Sequence, residues 1–96
     1  MRLAFSGQSE YNTSKRCVTV AAKVSQQWIT VDFSRTGICD FFGRPDTGRD
    51  AVLTFGTHRS QLIHVAQTVY ETDPAAFQNN TLFITVSHIK QHYPNS

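Results

Sequence analysis

Ninety-six residues with 40% hydrophobic content suffice for one domain spanning 1–96 around one core, and no second domain is expected. A net charge of +2, with nine Lys and Arg residues scattered along the chain, excludes a polybasic arm and gives only weak support for a nucleic-acid partner. Apolar runs of a few residues fall far short of the roughly 20 that span a bilayer, and the opening MRLAFSGQSE lacks a signal core. The expectation is therefore a cytoplasmic protein with no membrane partner, in which Cys17 and Cys39 are partly buried thiols rather than a disulfide framework.

In chain order, Leu3 to Phe5 reads as a short edge strand and Ser6 to Arg16 as a loop. Val18, Val20, Ala22 and Val24 then alternate with Cys17, Thr19, Ala21 and Lys23, the period of a half-buried strand. Past Ser25 and Gln26, Ile29, Val31 and Phe33 alternate with Trp28, Thr30 and Asp32, so the two runs should pair as an antiparallel hairpin. Ser34 is placed as the N-cap of a short helix with Ile38, Phe41 and Phe42 facing inward and Gly43 closing it; Gly37 lowers its helix propensity.

From Asp46 to Thr72 the spacing predicts one long amphipathic helix, capped by Asp46 or Thr47 and stopped at Asp73-Pro74. Ala51, Val52, Phe55, Leu62, Ile63, Ala66, Val69 and Tyr70 share one arc, with Thr54, Thr57, Gln61, His64 and Thr68 opposite. Gly56 flanks the arc, where a missing side chain would let the helix approach the sheet. Ala75 to Asn80 reads as a loop, Leu82, Ile84 and Val86 as the inward positions of a last strand, and 88–96 as a frayed polar tail beyond an ordered core of 3–87. The fold class is α+β: a small antiparallel or mixed sheet packed against one long and one short helix.

With these elements in place, the chain resembles the YrdB-like family of small bacterial domains, domain of unknown function 1488. The likeness rests on Phe5, Tyr11, Cys17 to Val24, and Ile29-Thr30-Val31 leading into Ser34. It continues through Ile38, Phe42 and the run Leu53-Thr54-Phe55-Gly56-Thr57-His58-Arg59. It implies a compact α+β fold in a bacterial cytoplasm and brings no activity or catalytic residues. Gln26 stands where that family usually has a turn glycine, which favours a looser connection over a tight two-residue turn.

Arg59 poses the sharpest chemical question, because it falls inside the apolar arc and its guanidinium cannot lose its proton. The expected solution is an internal ion pair with Asp32, Asp40 or Glu10, its stem lying on Phe55; the alternative is a site for an anionic ligand or partner, with His58 beside it. Trp28, on the polar side of its strand, is the third candidate binding residue, expected to meet a neighbouring strand or a second copy of the chain.

Other chemistries find little footing. His88 and His92 are four apart but fall at the end of the expected last strand, with no Cys-x-x-Cys pair or His-Glu-x-x-His run, so no metal is expected. The five glycines are scattered and form no phosphate cradle, so no cofactor is expected. The reading is a small non-catalytic accessory or binding protein of unidentified partner, acting through the Trp28 face or as a homodimer. One alternative is a nucleic-acid-binding module using Lys15, Arg16, Lys23, Arg44 and Arg49 with Trp28; another is a small enzyme built on Cys39 and His58.

Overall fold

A computed structural model describes residues 2–94 of the chain. Its sheet runs in the order β1-β2-β3-β5-β4, from β1 (Ala4–Asn12), β2 (Cys17–Val24), β3 (Gln27–Ser34), β4 (Phe77–Gln78) and β5 (Thr81–Ile84). Neighbours are antiparallel except β3 and β5, which pair in parallel, so the sheet is mixed. The helices are α1 (Arg35–Phe42), α2 (Gly48–Thr57), α3 (Arg59–Thr72) and α4 (Val86–His92). None is long and apolar enough to cross a membrane.

The hairpin of β2 and β3 forms in the register that alternation predicts, from Cys17 opposite Ser34 to Val24 opposite Gln27. Its turn is the tight one: Ser25 and Gln26 both have positive φ, at 46° and 68°, as a primed two-residue loop requires. Gln26 thus adopts the left-handed conformation without glycine, at a local cost that a full ladder of strand pairs offsets. Asn79 and Asn80 repeat the device between β4 and β5, with residues better suited to it.

The first strand is longer than expected, taking in most of the segment read as a loop. Phe5 to Ser9 on β1 opposes only Ala22 to Val20 on β2, so the strand carries a bulge. The bulge breaks the simple alternation that would have betrayed the strand.

The stretch 46–72 is two helices rather than one. His58 (φ −113°, ψ 27°) ends α2 by donating its amide to the Thr54 carbonyl and starts α3 by accepting from the Leu62 amide. This bend shifts the phase of the apolar face: Leu62, Val65, Ala66 and Val69 form the buried stripe of α3, while Thr54 joins Ala51 and Phe55 inside α2. A single unbroken helical wheel therefore left out Val65 and put Thr54 on the outer side. Thr47 caps α2 through the Asp50 amide, and Ser34 caps α1 through the Gly37 amide, as expected.

Two glycine roles differ from expectation. Gly56 is exposed and has open space where a Cβ would stand, so it mediates no close approach. Gly37, by contrast, lets α1 run against the start of α4; a Cβ there would sit 2.9 Å from the Val86 amide nitrogen.

Residues 86–92, read as strand end and frayed tail, form α4; residues 95–96 lie outside the described part. Thr85 and His88 close a reciprocal capping box, and Ile89 is fully buried. The continuous core of Val18, Val20, Val31, Phe33, Phe55, Leu62, Ile84 and Ile89 lies between the helices and one face of the sheet.

Candidate functional surface

The helices cover one face of the sheet and leave the other open. Register assigns that open face directly. Glu10, Thr19, Asp32 and Phe83 are successive cross-strand neighbours in one row, and Lys23 pairs with Trp28 in another. Trp28 is 54% exposed and Phe83 44%, both large apolar side chains with no covering layer. The Lys23 ammonium stands over the Trp28 ring, 5.7 Å from its centroid. Asn80 donates its side-chain amide to the Trp28 carbonyl at 2.9 Å, which ties the base of the tryptophan to the neighbouring turn.

Between these groups the face is hollow. Thr19, Ala21 and Thr30 are small and make the floor of a trough of about 360 Å³, walled on one side by Ser6, Gln8 and Glu10 of the bulged β1. Beside the floor lies Asp32, only 2% exposed although its strand face is open. Its Oδ1 accepts from the Thr19 hydroxyl at 2.7 Å and its Oδ2 from the Lys15 ammonium at 3.4 Å. Burial of a carboxylate is tolerable because both oxygens are met. The Cys17 thiol lies 3.9 Å from the Thr19 hydroxyl; burial, with the Asp32 charge second, pushes its pKa up.

The three sequence-nominated residues are not gathered in one place. Trp28 alone is on the open face. Arg59 begins α3 in the helical layer, its guanidinium over the Phe55 ring at 5.5 Å and donating to the Ser6 carbonyl in the β1 bulge. The expected ion pair is absent: among the described residues no carboxylate lies within ion-pair distance of Arg59, and Asp32 is taken by Lys15. A bulge leaves ladder groups unpaired, and Arg59 supplies a donor to one of them from the rim of the core. The charge in the apolar arc is thus answered by main chain.

His58 stacks on Phe42, with centroids 4.1 Å apart, and shares a 3.3 Å hydrogen bond with the Tyr93 hydroxyl. Cys39 is buried and donates to the Thr47 carbonyl at 3.8 Å; desolvation raises its pKa, and it has no hydrogen bond to His58. His88 and His92 lie on α4, where His88 caps Thr85 and meets Asp73 at 3.0 Å, and no group of three metal-ligating side chains forms among the described residues.

Sequence reasoning missed the trough, the Lys15–Asp32 contact and the exposure of Phe83. Alternation did carry one signal, since Asp32 and Phe83 both sit on the outward side of strands whose inward residues are apolar.

No family model matches the chain, and no curated protein does. Among solved structures it is similar to a protein of unknown function from the domain of unknown function 1488 family of Shewanella loihica PV-4. That likeness has a TM-score of 0.74 at 13% identity, over 88% of this chain and 92% of that one. At such identity the comparison shows a shared fold. The fold is that of the family which the sequence motifs resemble, and it brings no established activity.

Proposed function

We propose that this chain is a small, non-catalytic cytoplasmic binding protein that works through the open face of its sheet, with Trp28 as the central contact. The observation that carries this reading is that Trp28 and Phe83, on neighbouring strands, are both exposed on a face that no helix covers. Exposed aromatic side chains grouped on one face are a common mark of an interaction surface. Arg59 and His58 face the other layer and are already engaged with main chain or aromatic partners, which supports giving the contact role to Trp28. The buried, raised-pKa thiol of Cys39 lacks the thiolate that nucleophilic catalysis needs, which supports a non-catalytic role.

A homodimer is one way to fill such a face, and sedimentation across micromolar concentrations measures it. Nucleic-acid binding is disfavoured because Glu10 and Asp32 balance Lys15 and Lys23 on this face, leaving no net positive charge to draw phosphates. The deciding experiment compares wild type with the Trp28→Ser, Phe83→Ser double variant. The variant should melt as wild type does, since exposed substitutions shift stability by about 0.5 kcal/mol or less. It should lose the self-association or affinity-captured partners that wild type shows. Identical partners and identical oligomeric state in both proteins would refute the role of this face.

A further inference from the structure

We infer that the open face recognises a lysine or arginine side chain on an extended segment of a partner protein, and that Lys15 occupies this position as an internal placeholder. The inference rests on the sheet-face reading above and names what that face selects. Two of the chain's own ammonium groups already show the chemistry: Lys15 is on Asp32, and Lys23 is over Trp28.

The Lys15 contact has the character of an exchangeable one. Its nitrogen is 3.4 Å from Oδ2, longer than the roughly 2.7–2.9 Å of a well-made charge-assisted bond. Its side chain is 56% exposed and hangs from the β1–β2 turn, whereas Asp32 is 2% exposed. An exposed flexible cation therefore meets a buried, fixed anion, and exchanging it for another cation leaves Asp32 paired throughout. The fixed end is well held, since Thr19 anchors Oδ1 at 2.7 Å.

The surroundings suit the same ligand. Glu10, in register two strands from Asp32, is exposed and has no ion-pair partner among the described residues. Thr19 lies between them in the row, and Ala21 and Thr30 continue the floor in the next row, small side chains that leave room for an extended segment to cross the face. Glu10 on the wall of the trough and Asp32 beside its floor are two carboxylates, of which only Asp32 has a resident counter-ion. A segment bringing its own cation would displace Lys15 and gain Glu10.

The test uses the full chain and a short capped peptide alternating lysine and threonine, with norleucine in place of lysine as its neutral control. Trp28 is the chain's only tryptophan, so its emission reports on the face directly. The lysine peptide should give a saturable, salt-sensitive change that the norleucine peptide lacks. Lys15→Ala should bind about fivefold tighter, because an exposed ion pair no longer has to be broken. Glu10→Gln should bind several-fold weaker, and Asp32→Asn should abolish the response.

Circular dichroism checks the Asp32→Asn fold; if that variant unfolds, Lys15→Ala and Glu10→Gln decide. Weaker or unchanged binding by Lys15→Ala, or wild-type binding by Glu10→Gln, overturns the inference. Equal response to both peptides does so too. A Trp28 signal from the neutral peptide, untouched by the charge variants, would sink the cation preference and leave the sheet-face reading standing.

Discussion

The same glycine-to-alanine substitution should have opposite effects at Gly37 and Gly56. In α1, a Cβ on Gly37 would stand 2.9 Å from the Val86 amide nitrogen and 3.3 Å from both the Thr85 carbonyl carbon and the Ser34 Cβ. Two of those atoms are backbone, at the start of α4, so relief requires moving one helix by a few tenths of an ångström. Such overpacking costs about 1–3 kcal/mol, of which helix propensity returns up to about 1 kcal/mol. Because the closest clash is with backbone, the cost falls in the upper part of that range, and the net loss for Gly37→Ala is about 1–2 kcal/mol, a fall in melting temperature of roughly 5–15 °C for a domain of this size.

At Gly56, near the end of α2, a Cβ meets nothing within 4 Å and the backbone is not left-handed. There the entropic and propensity gains stand alone, and Gly56→Ala should stabilise by about 0.5 kcal/mol, or a few degrees. Thermal melts of both variants in one buffer, with urea titration as a second measure, decide the matter. If Gly37→Ala melted at or above wild type, the claim that α1 and α4 meet through a missing side chain would be refuted.

Arg59→Met keeps an apolar stem over Phe55 but loses the donor to the Ser6 carbonyl; the expected cost is about 1–2 kcal/mol by urea unfolding, and a melt equal to wild type would contradict the main-chain role. Ile89→Ala should cost about 2–4 kcal/mol, because Ile89 is wholly buried; a loss under about 0.5 kcal/mol would mean that α4 is not held against the core. Stability should also fall with alkaline pH. Burial raises the thiols of Cys17 and Cys39, so between the unfolded thiol pKa of about 8.5 and the higher folded values the unfolded chain binds fewer protons, and stability drops as pH rises. Melts from neutral pH upward should show a decline that a Cys17→Ala, Cys39→Ala variant lacks; the same decline in that variant would remove the thiols as its cause.

Part of this structure was legible in the residues because its physics is local. Alternation of Val18, Val20 and Ala22 against Lys23 marks β2, the hydroxyl of Ser34 marks the start of α1, and Asp73-Pro74 marks the end of α3. The exposure of Trp28 follows from the same alternation, since its strand neighbours Ile29 and Val31 claim the core. Other features depend on partners distant in sequence. The bulge in β1 exists only against β2, and Gly37 has meaning only where α4 crosses it. His58 interrupts a periodic stretch at a point where Phe42 and Tyr93 meet its ring, and a single helical wheel cannot register such contacts.

Arg59 and Asp32 show where the division falls. Pattern alone shows that Arg59 is a charge in an awkward place, because apolar neighbours at helix spacing define a face and an ionised group on that face needs an answer, whereas Asp32 falls on the polar side of its strand. Which answer a charge receives depends on three-dimensional proximity, to which spacing is blind. Opposite charge makes Asp32 one of three expected partners for Arg59, beside Asp40 and Glu10. In the fold Asp32 and Arg59 belong to opposite layers: Arg59 reaches a carbonyl in the β1 bulge, and Asp32 takes Thr19 across the strand pair and Lys15 from the turn. The sequence determined the charges and the faces; the tertiary structure alone decided their partners, because sheet register and helix packing bring together atoms that the chain keeps far apart.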